Sequence, residues 1–236
     1  MTEDTSLNEE IEEAPPDKIV VYTAIFGGYD GLQPALTPSI CLTDGTVEAA
    51  KGWEIRVVES AGLDSRRAAR RCKILAHEYF PDADYTLWHD GNYRLRIPPE
   101  KAVKEWLGKR ALAAFKHPHR RCIYREAEVC MRRRKDDPKR IQQQIARYDE
   151  QGFPQNYGLI ASGVLVRCNT NIVVRKLCEI WWQEVLEYSY RDQLSFDYAR
   201  WRTGLKINYI PGMIHRNEYF RYGAHGRRYV APRRFL

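Results

Sequence analysis

The sequence predicts an α/β domain in which a mostly parallel sheet is flanked by helices. Strand-like and helix-like segments alternate along the chain, which is typical of that class. The first of them, residues 18–26, is almost continuously apolar, as expected for a strand buried on both faces of a sheet. The 236 residues, 44% of them hydrophobic, suffice for one domain with a full core. We expect this domain over residues 18–220, between a disordered acidic tail at 1–17 and a basic tail at 221–236.

The first half of the chain contributes four predicted strands and a helix. The strands comprise residues 18–26, 39–42, 53–58 and 85–89. The helix is expected to begin near Asp64, a suitable N-cap residue, and to end before Pro81. Its apolar side faces the sheet, and its other side carries Arg66, Arg70 and Lys73 at i, i+4 and i+7.

The rest of the chain supplies two further strands and three further helices. The strands comprise residues 111–115 and 157–166, and the helices begin near Pro98, Ile141 and Thr170. The second of these strands is expected to be interrupted at Ser162-Gly163. Residues 116–150 are predicted to be the least regular part of the chain, with an exposed basic loop at 131–135.

The charge of the chain is unevenly distributed. Its net charge is +7, and because residues 1–17 hold seven acids and no base, residues 18–236 carry a surplus of fourteen positive charges. Such a surplus predicts an anionic partner: a nucleotide, a phosphorylated substrate, nucleic acid or an acidic membrane surface. The last 24 residues hold six arginines and several aromatic residues, which keeps a nucleic-acid-binding module open as an alternative.

The composition also bears on the location of the protein. No apolar run approaches 18 residues, and the N-terminal segment is acidic, so we expect no transmembrane segment and a cytoplasmic protein. The six cysteines form no Cys-x-x-Cys pair and no zinc-like spacing. Several of them lie in apolar runs and are predicted to be small core residues.

Polar residues follow the apolar strands at the points where ligands bind in open α/β sheets. Asp90 and Asn92 flank Gly91 directly after an apolar strand, so both side-chain oxygens can face one hard cation. A tight turn would explain the same residues. Gly27, Gly28 and Tyr29 follow the first strand, but neither a dinucleotide-binding fingerprint nor a P-loop is present.

Four motifs occur in an order that resembles a known family. They are residues 19–30, 88–92, 116–126 and 191–196. Together they resemble the TOD/MUCI glycosyltransferase-like family over roughly residues 18–220. The resemblance implies a GT-A fold and a UDP-linked nucleotide-sugar donor. It also implies Mn²⁺ or Mg²⁺ as cofactor and a saccharide or other hydroxyl acceptor.

The resemblance also implies roles for donor-side residues. Asp90 and Asn92 match the Asp-x-Asp motif that holds a divalent cation, and His215 matches a late histidine that completes the metal shell. Because Asn92 replaces the second carboxylate, weaker metal binding is expected. Cofactor-binding roles, toward the donor nucleotide and its diphosphate, fall to five further residues: Thr23, Tyr29, Arg66, Arg70 and Lys73. A solvated helix face would explain the basic stripe equally well.

Catalytic and acceptor-side roles are expected later in the chain. Asp192 is expected to orient an acceptor hydroxyl or to stabilise charge on the sugar, with Arg191 and Gln193 binding sugar hydroxyls or phosphate. His117 and Glu126 are a candidate acceptor-side pair, for which a buried, hydrogen-bonded histidine is the alternative. A metal-dependent hydrolase on the same scaffold also stays open.

Overall fold

The computed structural model describes residues 17–223. The strands are β1 Ile19–Ile25, β2 Ser39–Thr43, β3 Trp53–Val57, β4 Tyr85–His89, β5 Tyr93–Leu95, β6 Leu112–Lys116, β7 Ile160–Cys168, β8 Asn208–Tyr209 and β9 Phe220–Tyr222. The helices are α1 Ser65–Ile74, α2 Ala76–Tyr79, α3 Pro99–Leu107, α4 Ile123–Arg132, α5 Pro138–Glu150, α6 Ile172–Glu187 and α7 Gln193–Thr203.

Seven strands form one sheet in the order β3-β2-β1-β4-β7-β6-β8. The pairs β3–β2, β2–β1, β1–β4 and β6–β8 are parallel, and β7 runs antiparallel to both of its neighbours. A separate antiparallel ribbon joins β5 to β9. The predicted fold class, a mostly parallel sheet flanked by helices in one domain, is confirmed.

Both faces of the sheet are covered, which explains the apolar central strands. Because side chains alternate along a strand, Tyr22 and Trp88 face α1, α6 and α7, whereas Val21 and Leu87 face α3 and the β5–β9 ribbon. A smaller apolar cluster joins α4, α5 and α7 around Tyr148. The central strands are therefore packed against apolar residues on both faces of the sheet.

The structure differs in detail from the prediction at three places. The helix expected up to Pro81 is divided at Leu75 into α1 and α2. The strand β7 includes Ser162-Gly163, and the predicted interruption there is a bulge: the pairing with β6 passes from Leu165 to Ala161, and the ladder with β4 ends at Val164. The basic tail predicted from residue 221 overlaps β9, where Arg221 pairs with Arg94.

Two helices were not predicted. Helix α4 includes Met131 and Arg132, which the sequence assigned to a loop. Its apolar face, formed by Ile123, Ala127 and Cys130, has a clear helical spacing. Helix α7 is almost completely buried, so its sequence has no polar face to reveal the helical period.

The remaining predictions concern the tails, the cysteines and the location. Residues 1–16 and 224–236, which hold most of both predicted tails, lie outside the described residues. All six cysteines are free thiols, and five of them are buried, as predicted for core residues. Within residues 17–223 we find no helix with the length and hydrophobicity needed to span a membrane. A cytoplasmic location stays a prediction.

Candidate functional site at the carboxyl edge of the sheet

The loop after β1 is held close to the first turn of α1. Gly27 and Gly28 have φ angles of +64° and +62°, which favour glycine, and their amides donate to Asp44 Oδ2 and Thr46 Oγ1 at 2.8 Å each. A Cβ atom on Gly27 would lie 2.8 Å from the hydroxyl of Ser65. The carboxyl ends of β1 and β2 therefore form a compact rim beside α1.

An ionic cluster lies next to this rim, and we define it as Arg70, Lys73, Asp90, Ser162 and Asp192. Lys73 Nζ lies 2.5 Å from Asp192 Oδ2 and 3.8 Å from Asp90 Oδ1. Arg70 Nε lies 3.5 Å from Asp192 Oδ1, and the Ser162 hydroxyl donates to Asp192 Oδ2 at 3.0 Å. Four of the five are residues that the sequence singled out, and the fold brings them together.

The fold explains how Lys73 reaches the rim although it lies near the end of α1. Side chains on a helix tilt toward its N-terminus, and α1 begins at the rim, where Asp64 caps it. The side chain of Lys73 extends past Trp88, with Nζ 5.4 Å from the ring centroid. Trp88 Nε1 in turn donates to Asp90 Oδ1 at 3.0 Å. The apolar stem of the lysine is buried, and its ammonium group lies between two carboxylates.

The bulge in β7 supplies the other side of the cluster. Asp90 N donates to the carbonyl of Gly163 at 2.9 Å, and a Cβ atom on Gly163 would lie 3.1 Å from Asp90 Oδ2. Ser162, the preceding residue, contacts Asp192. The predicted interruption at Ser162-Gly163 is thus the place where the sheet contacts both carboxylates. Bulges next to functional sites commonly redirect side chains in this way.

Asp192 anchors the cluster from its interior. Only 3% of its side chain is exposed. Burial alone would raise the pKa of this carboxyl, but Arg70 and Lys73 outweigh burial and hold the pKa well below its usual range. The carboxylate is therefore ionised and fully engaged. Asp192 therefore holds Lys73 and Arg70 in place, and its predicted role toward an acceptor hydroxyl or the charge on the sugar stays a prediction.

The neighbours of Asp192 are also engaged with the protein. Gln193 Nε2 donates to the carbonyl of Ile160 at 3.1 Å, which ties the start of α7 to β7. Arg191 is partly buried, and its backbone amide donates to Ser189 Oγ at 3.1 Å. Arg191 lies close enough to contribute to the low pKa of Asp192. Arg191, Asp192 and Gln193 therefore form the start of α7. Arg191 adds positive charge close to Asp192.

The solvent-facing part of the cluster consists of Asp90 and the arginines of α1. The Asp90 side chain is 31% exposed and that of Arg70 is 25% exposed, whereas that of Lys73 is only 1% exposed. Arg66 is exposed and donates to the Tyr190 hydroxyl at 2.5 Å. Arg66 and Arg70 are therefore available to a ligand, and Lys73 acts through Asp90 and Asp192.

Thr23 and Tyr29, both predicted to contact the donor nucleotide, differ in their exposure to solvent. Thr23 has no exposed surface, because its side chain is enclosed within the sheet; its predicted contact with a nucleotide is corrected. Tyr29 is 64% exposed at the rim and is near enough to Arg70 to influence its pKa. A stacking role for Tyr29 is compatible with this position, and it stays a prediction.

The predicted metal ligands do not form a ligand set. Asn92 is buried, and its Nδ2 donates to the carbonyl of Gly223 at 3.1 Å, so its side chain fastens β5 to the end of β9. His215 Nδ1 bonds the Tyr93 hydroxyl at 2.9 Å. Within residues 17–223, no group of three or more His, Cys, Asp or Glu side chains could hold a metal ion. Asp90, Asn92 and His215 thus form no ready ligand set within the described residues, and Mn²⁺ or Mg²⁺ as cofactor stays a prediction.

His117 and Glu126 do form the predicted pair, but it is buried. His117 Nε2 lies 3.8 Å from Glu126 Oε2, and the two side chains are 8% and 1% exposed. Burial lowers the pKa of His117 to about 4, and Arg120 and Lys135 help to hold the pKa of Glu126 below its usual range against the effect of its burial. His117 Nδ1 accepts from two backbone amides. The alternative interpretation, a satisfied buried histidine, describes this arrangement.

A cleft opens beside the exposed part of the cluster. Its volume is about 440 Å³, and it lies between the first turn of α1 and the segment that joins α4 to α5. Its lining residues are Asp64, Ser65, Arg66, Arg67, Asp136, Asp137, Arg140 and Tyr190. Arg66 and Tyr190 line the cleft and contact each other, and Tyr190 is near enough to Arg70 to influence its pKa, so the cleft lies beside the cluster.

Three contributors to this site were not predicted from the sequence: Trp88, Ser162 and Tyr190. Trp88 lies within the Trp88–Asn92 motif, but an apolar strand pattern does not indicate that its indole is a donor to Asp90. The pattern around Ser162 indicates only a strand interruption. Tyr190 is held by Arg66 and by the backbone of Lys135, a contact between distant segments that the sequence does not reveal.

The chain is similar in sequence and in structure to several known proteins. Residues 45–222 match the TOD1/MUCI70, glycosyltransferase-like domain, a range that begins after β1. The chain is 26% identical over 229 residues to the probable hexosyltransferase MUCI70 of Arabidopsis thaliana, covering 83% of this chain and 39% of that protein. The apo structure of the bifunctional glycosyltransferase WbbM matches with 12% identity and a TM-score of 0.48, over 83% of this chain and 39% of that one. The chain spans about two fifths of the length of both. With three quarters of its length matched, the chain belongs to the TOD1/MUCI70 glycosyltransferase-like family.

Proposed function

We propose that the protein is a glycosyltransferase that moves a sugar from a UDP-linked donor to a hydroxyl acceptor. The observation that carries this proposal is the convergence of Arg70, Lys73 and Asp90 at the carboxyl edge of a mostly parallel sheet. Open α/β sheets bind their ligands at that edge. Family membership supports the reaction class, and the relative named a probable hexosyltransferase supports a hexose as the transferred group.

The main chemical demand of the reaction is to stabilise the negative charge that develops on the departing diphosphate. The bond from the anomeric carbon to the diphosphate oxygen breaks with its electrons on the diphosphate, while the acceptor oxygen attacks that carbon and its proton passes to the departing diphosphate or to water. Arg66 and Arg70 offer guanidinium groups that suit phosphate oxygens and that stabilise the departing diphosphate. Asp90 is the exposed carboxylate of the cluster and accepts hydrogen bonds from sugar hydroxyls.

The acceptor binds in the adjoining cleft in this proposal. A cleft of about 440 Å³ accommodates a saccharide unit, and Asp64, Asp136 and Tyr190 supply groups that bond hydroxyls. Arg66 borders both the cleft and the cluster, so an acceptor there lies next to the donor. Asp137→Asn and Arg140→Ala, at the far side of the cleft, are expected to raise the KM for the acceptor without changing nucleotide affinity.

The experiment that tests the proposed function measures nucleotide release from a panel of UDP- and GDP-sugars, with and without a panel of saccharide acceptors. We expect release to depend on an acceptor and to fall at least about a hundredfold in Asp90→Ala. Asp82→Ala is the matched control, because Asp82 is 83% exposed and remote from the cluster. Acceptor-independent release would favour a hydrolase, and no release from any donor would refute the proposal.

A further inference from the structure

The position of Lys73 has a consequence for the cofactor of this site. Its ammonium group lies between the two carboxylates of the cluster, 2.5 Å from Asp192 and 3.8 Å from Asp90. Mg²⁺ at a diphosphate site is held by one or two carboxylates together with phosphate oxygens, and here the ammonium group occupies the space beside both carboxylates. We propose that Lys73 takes the place of the divalent cation and that the site works without a metal ion.

The first support for this inference is the donor set around Asp90. Trp88 Nε1 and Lys73 Nζ already approach its Oδ1, and Oδ2 faces the backbone of Gly163. Asn92, which would be the second ligand, is buried, with its Nδ2 on the carbonyl of Gly223 and its Oδ1 enclosed away from the solvent side where Asp90 is exposed. A metal ion would thus find one partly exposed carboxylate and a neighbouring ammonium group of like charge, which disfavours its binding.

The second support is the way the fold holds Lys73. Its side chain is 1% exposed, it passes the ring of Trp88, and its carbonyl accepts from the Tyr22 hydroxyl at 2.9 Å. Arg167 donates to that same hydroxyl and to the carbonyl of Ile74. A flexible surface lysine could move aside for a metal ion, but this lysine is fixed at both ends.

The third support is the charge of the cluster and its surroundings. Arg66, Arg70, Lys73 and Arg191 provide four positive charges, against the carboxylates of Asp90 and Asp192. These side chains supply positive charge for a diphosphate, which other sites take from a metal ion.

A titration of the free protein with Mn²⁺, followed by the electron paramagnetic resonance of unbound Mn²⁺, tests the inference without reference to activity. We expect the wild type not to bind Mn²⁺ in the millimolar range. In Lys73→Ala, the two carboxylates and the Ser162 hydroxyl face an emptied space, and Mn²⁺ affinity is expected to rise at least about tenfold. Lys176→Ala, which removes a lysine from an exposed pair with Glu179, is the matched control and should behave as the wild type.

A second measurement covers the case in which Lys73→Ala fails to fold, and it rests on the proposed function. Thermal stabilisation of the wild type by UDP, GDP and CMP is compared in EDTA and in Mn²⁺. Equal stabilisation by one nucleotide in both buffers supports the inference. Stabilisation that requires Mn²⁺, or Mn²⁺ binding by the wild type that Asp90→Ala abolishes, overturns it. If no nucleotide stabilises the protein in either buffer, the proposed function fails, whereas the Mn²⁺ titration still decides the inference.

Discussion

Replacing Asp192 with Asn is expected to destabilise the fold by about 3 kcal/mol, because it leaves the buried Lys73 ammonium without its closest counter-charge. Removing one member of a buried ion pair costs about 3–5 kcal/mol. The low end applies because Asp90, 3.8 Å from Nζ, still compensates part of the charge. For a domain of this size the loss corresponds to a drop in Tm of about 6–12 °C.

The pH dependence of this loss identifies its cause. The folded-state pKa of Asp192 is depressed, so its contribution to stability is fully present above the unfolded-state pKa of about 3.9 and is lost as the pH falls further. The difference between wild type and Asp192→Asn should therefore be constant from pH 7 to about pH 5 and narrow below about pH 4.

Urea denaturation of both proteins across this pH range measures the difference directly. Glu179→Gln is the control: it neutralises a carboxylate in an exposed pair with Lys176, and should change stability by less than about 1 kcal/mol. A loss in Asp192→Asn below about 1 kcal/mol at pH 7, or a loss of the same size at about pH 3, would refute the role of Asp192 as an ionised, buried anchor.

Three further predictions concern the surroundings of the cluster. Trp88→Phe removes the donor to Asp90 Oδ1 and should cost about 1–3 kcal/mol in urea denaturation and weaken nucleotide binding; unchanged binding would contradict the contact. Gly163→Ala places a Cβ atom 2.9 Å from Ile214 and 3.1 Å from Asp90 Oδ2, and should cost about 1–3 kcal/mol of stability. Because the new atom also displaces Asp90, turnover should fall even under conditions where the variant is fully folded. Normal turnover of the folded variant would count against this geometry. Burial lowers the pKa of His117 in the folded state, so the contribution of the neutral ring to stability is full above about pH 6.5. The free energy of unfolding should fall by up to about 3 kcal/mol toward pH 4, and His117→Gln should flatten this slope. A midpoint near pH 6.5 in an NMR titration of the His117 ring would contradict the lowered pKa.

The sequence revealed the sheet well because its strands are buried on both faces. The strands β1, β2, β3 and β4 are short apolar runs bounded by polar or glycine-rich turns, and the structure has them within two residues of the predicted limits. The helix α7 gave no such pattern: residues 194–200 are all buried, Asp197 and Arg200 among them, so apolar and polar positions do not alternate with the helical period.

The composition of the site could be predicted only in part. The strand-end position of Asp90 and the helical spacing of Arg70 and Lys73 are local properties, and the amino-acid sequence alone is enough to indicate them. The contact between Lys73 and Asp192 joins residues 119 positions apart through the bulge at Ser162. No local pattern encodes that distance, and for this reason the sequence does not reveal the buried state of Asp192.

Asn92 illustrates the same limit for a motif. In the sequence, Asp90-Gly91-Asn92 presents two oxygen-bearing side chains that one ion could share. In the structure, β5 begins at Tyr93 and pairs with β9, and the Asn92 amide is drawn toward the carbonyl of Gly223. The partner strand is about 130 residues away along the chain, so the direction of the Asn92 side chain follows from the fold and not from the motif.

The central claim is that the edge of the sheet at Arg70 and Asp90 binds the diphosphate of a nucleotide sugar. Isothermal titration calorimetry of the wild type with UDP, GDP and CMP, repeated on Arg70→Ala and on the exposed-site control Arg56→Ala, tests it most directly. We predict that one nucleotide binds the wild type and the control with equal affinity, and that Arg70→Ala weakens its binding at least about tenfold. Equal binding to all three proteins, or binding of no nucleotide to the wild type, would contradict the claim.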